Sequence, residues 1–568
     1  MIGWRILCGG LVFVAVATIA AAGLSILSGR LEPRGAWIAM ALGLSAGIAT
    51  ARGASAPRQK ITTADTILFV VFGLAALRAF LWVVYPEGPD LKILSPHNLG
   101  DIALHFNLIL RWANGGTFWP ENPFLAGAVF PYHPGMDFWN AILGVLGLPV
   151  IAGLRWTGLL GAAATAAALW RYGRGFALAS FLFAGGLGAL VLLREGVLDG
   201  QQDAAAWKNL FLTMLVTQRG MLFSLPAGFV LLTVWRTRLS GSDGPRLSVP
   251  AQAALYASMP FFNAPAFVFL SAVLAVCFFA GWRTERSRDF LSVTLLAVIP
   301  ATWLVRMVTG NFTAPNALRW APGWMQGENG WWFWLENFGL FLPLAAVLGI
   351  VLLRRGAADT ATRVFYGVAA ATLAFSFLFL FAAWPWDNTK LIVWGYLVLA
   401  PLLWDGLIKH WPLGLRIAAC LGLFTSGALA LAGGLDGRHG YKIADRAELD
   451  DVQFLLRHLP VNARLACAPA YDHPALLLGQ PVVMGHDGHL FSQGLDYGPV
   501  SEKLDVLMSG REGWRDAARG LQTHYLFWGR KEKERWPDSS LPWVPCAPPL
   551  ATTPSGVLYL LTPCLLEE

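Results

Sequence analysis

Charge is scarce in this chain. Only 14% of its 568 residues are Asp, Glu, Lys or Arg, against about 25% in soluble domains. With long apolar runs and a mean hydropathy of +0.52, that shortfall excludes an ordinary soluble protein and marks a multi-spanning membrane protein. Concentrated basic charge is also missing. The net charge of +7 is spread over short clusters between apolar runs, which suits membrane topology and not nucleic-acid binding. The six cysteines include no CxxC spacing, so no zinc site is indicated. There is no Walker-type Gly-rich loop and no HExxH, which removes P-loop and zincin chemistry from consideration.

What the chain has in plenty is apolar length and tryptophan. Many of its 26 tryptophans sit at the ends of apolar runs, where an indole prefers the headgroup zone. Apolar spans read near 4–28, 36–51, 64–85, 153–171, 175–193, 221–236, 250–262, 264–281, 289–307, 331–353, 364–384, 388–405 and 412–434, about 13 in all. The first run, Ile2 to Leu27, is longer than a typical signal-peptide core and lacks a convincing cleavage site, so it reads as a retained span. The basic clusters are Arg52/Arg58/Lys60, Arg171/Arg174, Arg236/Arg238/Arg246, Arg283/Arg286/Arg288, Arg354/Arg355/Arg363 and Lys409. All fall on one side if the run Asn140 to Gly153 does not cross completely, which Pro149 and the nearby glycines permit. That side is expected to be the cytoplasm, with the N-terminus, and the membrane the bacterial plasma (inner) membrane. Arg30 and Arg34 go against this arrangement. The outer side then holds the loops 86–138, 194–220 and 308–330, the turn Trp384 to Lys390, and everything after about 435.

From Asp436 the composition turns polar. Asp445 to His458 has helical periodicity. Arg464–Pro469, Pro481–Met484, Thr523–Trp528 and Val557–Leu561 read as short strands. Interleaved helix and strand predict a small α/β domain. The chain therefore reads as a polytopic α-helical membrane domain, 1–435, followed by a soluble, extracytoplasmic α/β domain, 436–568. Cys467, Cys546 and Cys564 lie in the tail, where export permits disulfides; Cys546–Cys564 is a possible pair, and an odd count leaves one thiol over.

The candidate chemistry lies in the external loops. Asn98 to Arg111 carries Asp101 and His105 at i,i+4, a spacing that stacks both side chains on one face of a helix. The plainer reading makes Asp101 the N-cap of an interfacial, amphipathic helix. The capping reading does not explain why His105 sits one turn on, or why a second His/Asp pair, His133 and Asp137, closes the loop. Such sets also bind divalent cations, Mg or Mn among them, so a cation site is a further candidate. The second loop carries Asp199, Asp203, Lys208 and then Gln218-Arg219-Gly220. Arg219 is either an interface anchor or a grip on phosphate, for which a planar guanidinium is suited. Trp384-Pro-Trp-Asp387-Asn-Thr-Lys390 packs an acid and a base beside the membrane, where charge is costly unless paired or used. Arg306, Arg319 and Glu328 add charge to the 308–330 loop. In the tail, Gly485-His-Asp-Gly-His489 has the look of a site.

Gly100-Asp101-Ile-Ala-Leu-His105, Asn122-Pro-Phe, Phe130-Pro-Tyr-His-Pro-Gly135, Gln218-Arg219-Gly220, Trp386-Asp-Asn-Thr-Lys390 and Leu456-Arg-His-Leu-Pro-Val-Asn-Ala-Arg464 resemble segments of integral-membrane glycosyltransferases of the GT-C class. The resemblance touches most of the chain through short motifs. It implies a sugar on a polyprenyl phosphate as donor, a glycan, lipid or protein as acceptor, membrane lipids as surroundings, and a carboxylate of the first external loop, here Asp101, as catalytic base. The class often has two neighbouring acids at that point; this chain has Asp101 alone, which leaves metal dependence open. A base near C1 of the sugar is what an inverting transfer to a hydroxyl needs, and a departing phosphate needs a cation. Asp101 with His105 supplies the first expectation. His133, Asp137, Arg219, Arg319, Asp387 and Lys390 are the expected substrate-binding set.

A transporter and a non-catalytic scaffold with a partner-binding tail are the alternatives. Against the first, the charges sit at external span ends, not mid-membrane; the second leaves the acid-rich first loop idle. Topology gives the first test. A reporter active only in the cytoplasm, fused after Leu435, is expected to be silent; an active fusion would reverse the parity of the spans.

Overall fold

The computed structural model describes residues 2–187, 207–282, 284–310, 318–324, 326, 330–354, 359–436 and 440–566. Asp199, Asp203, Glu328 and the end of the 175–193 run lie outside the described residues. The described chain is mostly helical, with a sheet-containing C-terminal region.

Seven helices among the described residues are long and apolar enough to cross a membrane, and up to nine spans result if each of two sharply bent helix pairs counts as one. About 13 runs were expected, and the difference has physical causes. The 250–262 and 264–281 runs form helices of 14 and 17 residues, about 21 and 26 Å long against a hydrocarbon core of about 30 Å. They meet at Asn263, whose side chain caps the second helix by accepting from the Ala266 N–H at 2.9 Å. The runs 153–171 and 175–193 share one long element, Val150–Leu182, broken only at Gly173 and Arg174. The 331–353 run bends by 92° between its two helices. The Asn140 to Gly153 run is not one helix: it holds the end of the 11-residue helix Gly135–Val145 and, after Pro149, the start of Val150–Leu182.

The first two helices, Ile2–Ser28 and Pro33–Gly53, pack through small residues. A side chain at Gly47 would put its first carbon 2.7 Å from the Gly9 carbonyl oxygen, so the glycine permits the close approach that favours helix pairing in lipid.

The tail is stitched to the first loop. Strands β1 (Tyr85–Glu87) and β2 (Asp90–Ile93) form a hairpin, and β2 pairs antiparallel with the tail strand Tyr441–Asp445. The tail's other sheet runs Leu465–Ala466, Tyr525–Gly529, Gly556–Leu560, Pro549–Thr553 in spatial order, its first pair parallel and the rest antiparallel. The strands at 465, 525 and 556 match three of the four expected from the sequence. Pro481–Met484 instead lies between the sheet and the first loop: Leu465 bridges Val482, and Leu125 bridges Met484. Cys546 and Cys564 form the disulfide, and Cys467 is the buried free thiol of the tail. Arg464 joins the two parts, with Nη2 2.6 Å from Glu121 and 2.8 Å from the Asn122 carbonyl.

Between tail and membrane helices lies Asp101–Ala113. Its sequence is amphipathic, which predicted a helix lying on the bilayer surface. Instead, ten of its 13 residues are buried. Ile102, Ala103, Phe106 and Ile109 join Ile443, Ala444 and Leu477 of the tail, while Leu104, Leu108 and Trp112 join the core shared with the membrane helices. The fully buried Asn107 Nδ2 donates to the Leu476 and Gln480 carbonyls at 2.9 and 3.1 Å. Losing a buried bonded partner costs about 1–3 kcal/mol. Asn107→Leu is therefore expected to lower the unfolding temperature and speed proteolysis of the tail in the membrane-embedded protein. Unchanged proteolysis would show that the tail does not depend on this contact.

Candidate active site

Three distant segments turn their polar residues toward one space. The first is the start of Asp101–Ala113. Gly100 has helical backbone angles, φ −76° and ψ −47°, and offers no side-chain cap. Asp101 is thus the first helical residue and not the N-cap, which corrects the capping reading. A carboxylate in the first turn suits the positive end of the helix dipole. Its Oδ2 accepts from Gln218 Nε2 at 3.2 Å. One turn on, His105 presents Nδ1 to Asp137, 2.9 Å from Oδ1 and 3.0 Å from Oδ2, both side chains buried. Asp137 is in the first turn of Gly135–Val145, so the second His/Asp set orients the first.

The second segment is the break between a π-helical turn, Phe211–Thr217, and the helix Met221–Ser240, which meet at 107°. Each residue of the Gln218-Arg219-Gly220 motif does something different there. Gln218 turns out to Asp101. Gly220 packs so close to the Phe262 carbonyl that no side chain fits. Arg219 turns inward: it is buried, Nη2 lies 3.3 Å from the Leu154 carbonyl, and its charge faces Asp137 and Tyr132.

The third is the turn Pro385–Asn388, leading into the helix Thr389–Gly406. Its middle residues are structural. Buried Asn388 accepts from the Phe381 N–H at 3.1 Å and donates to the Phe379 carbonyl at 2.6 Å, and Thr389 donates to the Trp386 carbonyl at 2.7 Å. The flanking Asp387 and Lys390 are thereby presented together, 3.0 Å apart.

The resulting cavity is about 550 Å³. Asp101, His105, Tyr132 and His133 line it from the first loop, with Lys208, Thr213, Thr217 and Gln218 from the second. Trp384, Trp386, Asp387 and Lys390 come from the turn, and His486, Gly488, His489, Ser492 and Gln493 from the tail. Burial pushes the Asp101 carboxyl above its ordinary value, while the charges of His105 and Lys390 pull it down and those of Asp387 and Asp137 push it up. Burial, with Lys390 and His105 nearby, lowers His133 to about 3, so its imidazole is neutral at physiological pH. Burial and His486 likewise lower His489 to about 4, despite a hydrogen bond to the Gly100 backbone.

With the geometry in view, the chain can be compared with solved structures. The chain is similar to ArnT from Cupriavidus metallidurans, solved bound to undecaprenyl phosphate, at 14% identity over 89% of this chain and 99% of that one, with a TM-score of 0.43. No family model and no curated protein matches the chain.

Of the eight residues singled out from the sequence, Asp101, His105, His133, Asp387 and Lys390 line the cavity. Asp137 stands behind His105. Arg219 does not reach the cavity, because the bend that exposes Gln218 turns its neighbour inward. Arg319 does not line it either. It sits exposed on the short strand β3 (Arg319–Trp320), paired with β4 (Phe379–Leu380), and Nη2 lies 3.2 Å from the Ala382 carbonyl. Among the described residues no group of three or more His, Cys, Asp and Glu is set to hold a metal. Asp387 faces Lys390, so among the described residues no donor set for Mg or Mn is assembled. Sequence reasoning missed Gln218 and Tyr132 as cavity residues, although both lie inside motifs it had marked.

Removing one member of a buried charged pair costs about 3–5 kcal/mol. Asp137→Ala strands His105 and faces the Arg219 charge with no acid, and is expected to destabilise the protein on that scale. Lys390→Ala, at a cavity wall, should cost far less. Equal unfolding temperatures for the two variants would contradict the division between buried support and cavity wall.

Proposed function

We propose that the chain is a membrane glycosyltransferase of the GT-C class. It moves a sugar from a polyprenyl phosphate to a hydroxyl acceptor on the outer face of the bacterial plasma membrane, with inversion. The observation that supports this most is the meeting of Asp101, Asp387, Lys390 and Lys208 in one cavity, fed by three loops that the sequence places on the same side. A transporter would put such charges along a path through the bilayer; these gather at one place, beneath the tail.

Asp101 is the general base. Gln218 occupies Oδ2, which leaves Oδ1 to take the proton from the acceptor hydroxyl. The acceptor oxygen then bonds to C1 of the sugar from the face opposite the phosphate. The C1–O bond to phosphate breaks, and its electron pair leaves with the lipid phosphate. Lys390 and Lys208 stabilise the departing charge; Lys390 carries three donors and spends one on Asp387. His105, fixed by Asp137, and neutral His133 hold the donor. Burial raises the proton affinity of Asp101, which makes its carboxylate the stronger base.

Transfer from polyprenyl-phosphate pentose and hexose donors tests this. A positioned base contributes about 10²–10⁴-fold, so Asp101→Asn is expected to lose turnover on that scale with folding nearly intact; wild-type turnover would remove Asp101 from the role. The pH profile gives an independent check. Activity needs the carboxylate, so it falls as pH drops through the Asp101 pKa, which lies above the ordinary carboxylate value. Lys390 pulls that pKa down and Asp387 pushes it up. Beyond any loss in rate, Lys390→Ala should move the acid limb to higher pH and Asp387→Asn to lower pH. An acid limb fixed in both would mean that another group controls it.

A further inference from the structure

The two walls of the cavity differ in chemistry. The membrane-side wall carries Asp101, Lys208, Asp387 and Lys390. The tail wall offers two imidazoles, a hydroxyl and an amide, from His486, His489, Ser492 and Gln493; its nearest carboxylate, Asp487, pairs with His486 Nδ1 at 3.1 Å. Trp384, which lines the cavity, meets Phe491 of the tail edge to face, ring centres 5.9 Å apart, and the two remain 48% and 45% exposed. Gln493 accepts from Asn122 Nδ2 at 3.2 Å through its oxygen. Its Nε2 is buried and, among the described residues, has no partner.

We propose that the tail wall and the Trp384–Phe491 rim form the acceptor subsite, and that its ligand is a carbohydrate. A sugar ring has a hydroxyl edge and an apolar C–H face. The edge calls for closely spaced hydrogen-bonding groups, the face for an aromatic ring. A lipid acceptor would call for an apolar wall. A peptide would call for an open strand edge or an apolar groove, and this wall offers short helix and turn. The subsite adjoins Asp101, since the His489 ring bonds the Gly100 backbone, so a bound saccharide presents a hydroxyl to the base. The proposal rests on the glycosyl-transfer reading and names its acceptor class.

The test is saturation-transfer NMR on the full chain in lipid nanodiscs. The probe is the oligosaccharide pool released by mild acid from the envelope of the source cell; tryptic peptides of its exported proteins are the control. The wild type should give saccharide signals and no peptide signals. Trp384→Ala with Phe491→Ala should weaken saccharide binding about tenfold, the scale of a lost aromatic contact, while Trp384→Phe with Phe491→Tyr keeps it. Absence of saccharide signal in the wild type, peptide signal instead, or signal undiminished in the alanine pair would overturn the proposal. Asp101→Asn separates the two readings. If it turns over normally, the base assignment fails whatever the saccharide does; if it is inactive yet the alanine pair binds as the wild type does, the acceptor subsite alone fails.

Discussion

A helix buried on every face needs partners on every face. Asp101–Ala113 is such a helix: one side packs on the tail and the other on the membrane-side core. Neither part alone can cover it, so the tail and the first loop form one packed unit through strands, a buried Asn107 and the Arg464–Glu121 pair. The position of Asp101 follows. It sits at the one end of that helix which opens on a cavity, held between a glutamine from a bent span and a histidine ring from the tail that bonds the preceding backbone.

The same logic orders the charges. A charge out of water is tolerated when paired or bonded, and here pairing comes in layers. Asp137 stands deepest, between His105 and the field of Arg219. Asp387 and Lys390 pair at the cavity wall. An arginine read as a grip on phosphate is buried behind the cavity, and the Asp387–Lys390 pair lines it.

Much of this was legible in the sequence. Asp101 and His105 share a face because i,i+4 spacing demands it in any helix. The helix break within Asn140–Gly153 follows from Pro149. Asp387 and Lys390 meet because they lie three positions apart in a tight turn. What the sequence withheld depends on long-range contact. Arg219 reads as an external anchor until the 107° bend turns it inward. The surface-helix reading of Asp101–Ala113 fails because amphipathicity does not say what covers the polar side. The span count exceeded what the helices support because apolar runs of 14 or 17 residues resemble spans in composition but not in length. Gly485-His-Asp-Gly-His489 could be marked but not assigned, since its value lies in being folded back over a loop some 350 residues earlier in the chain.

The most direct test of the account is a structure of the full chain in nanodiscs with a polyprenyl phosphate added. The account predicts phosphate density in the cavity, within about 3 Å of Lys390 or Lys208 and beside Asp101. Phosphate held at Arg219 or Arg319, or lying outside the cavity with these lysines unengaged, would contradict it.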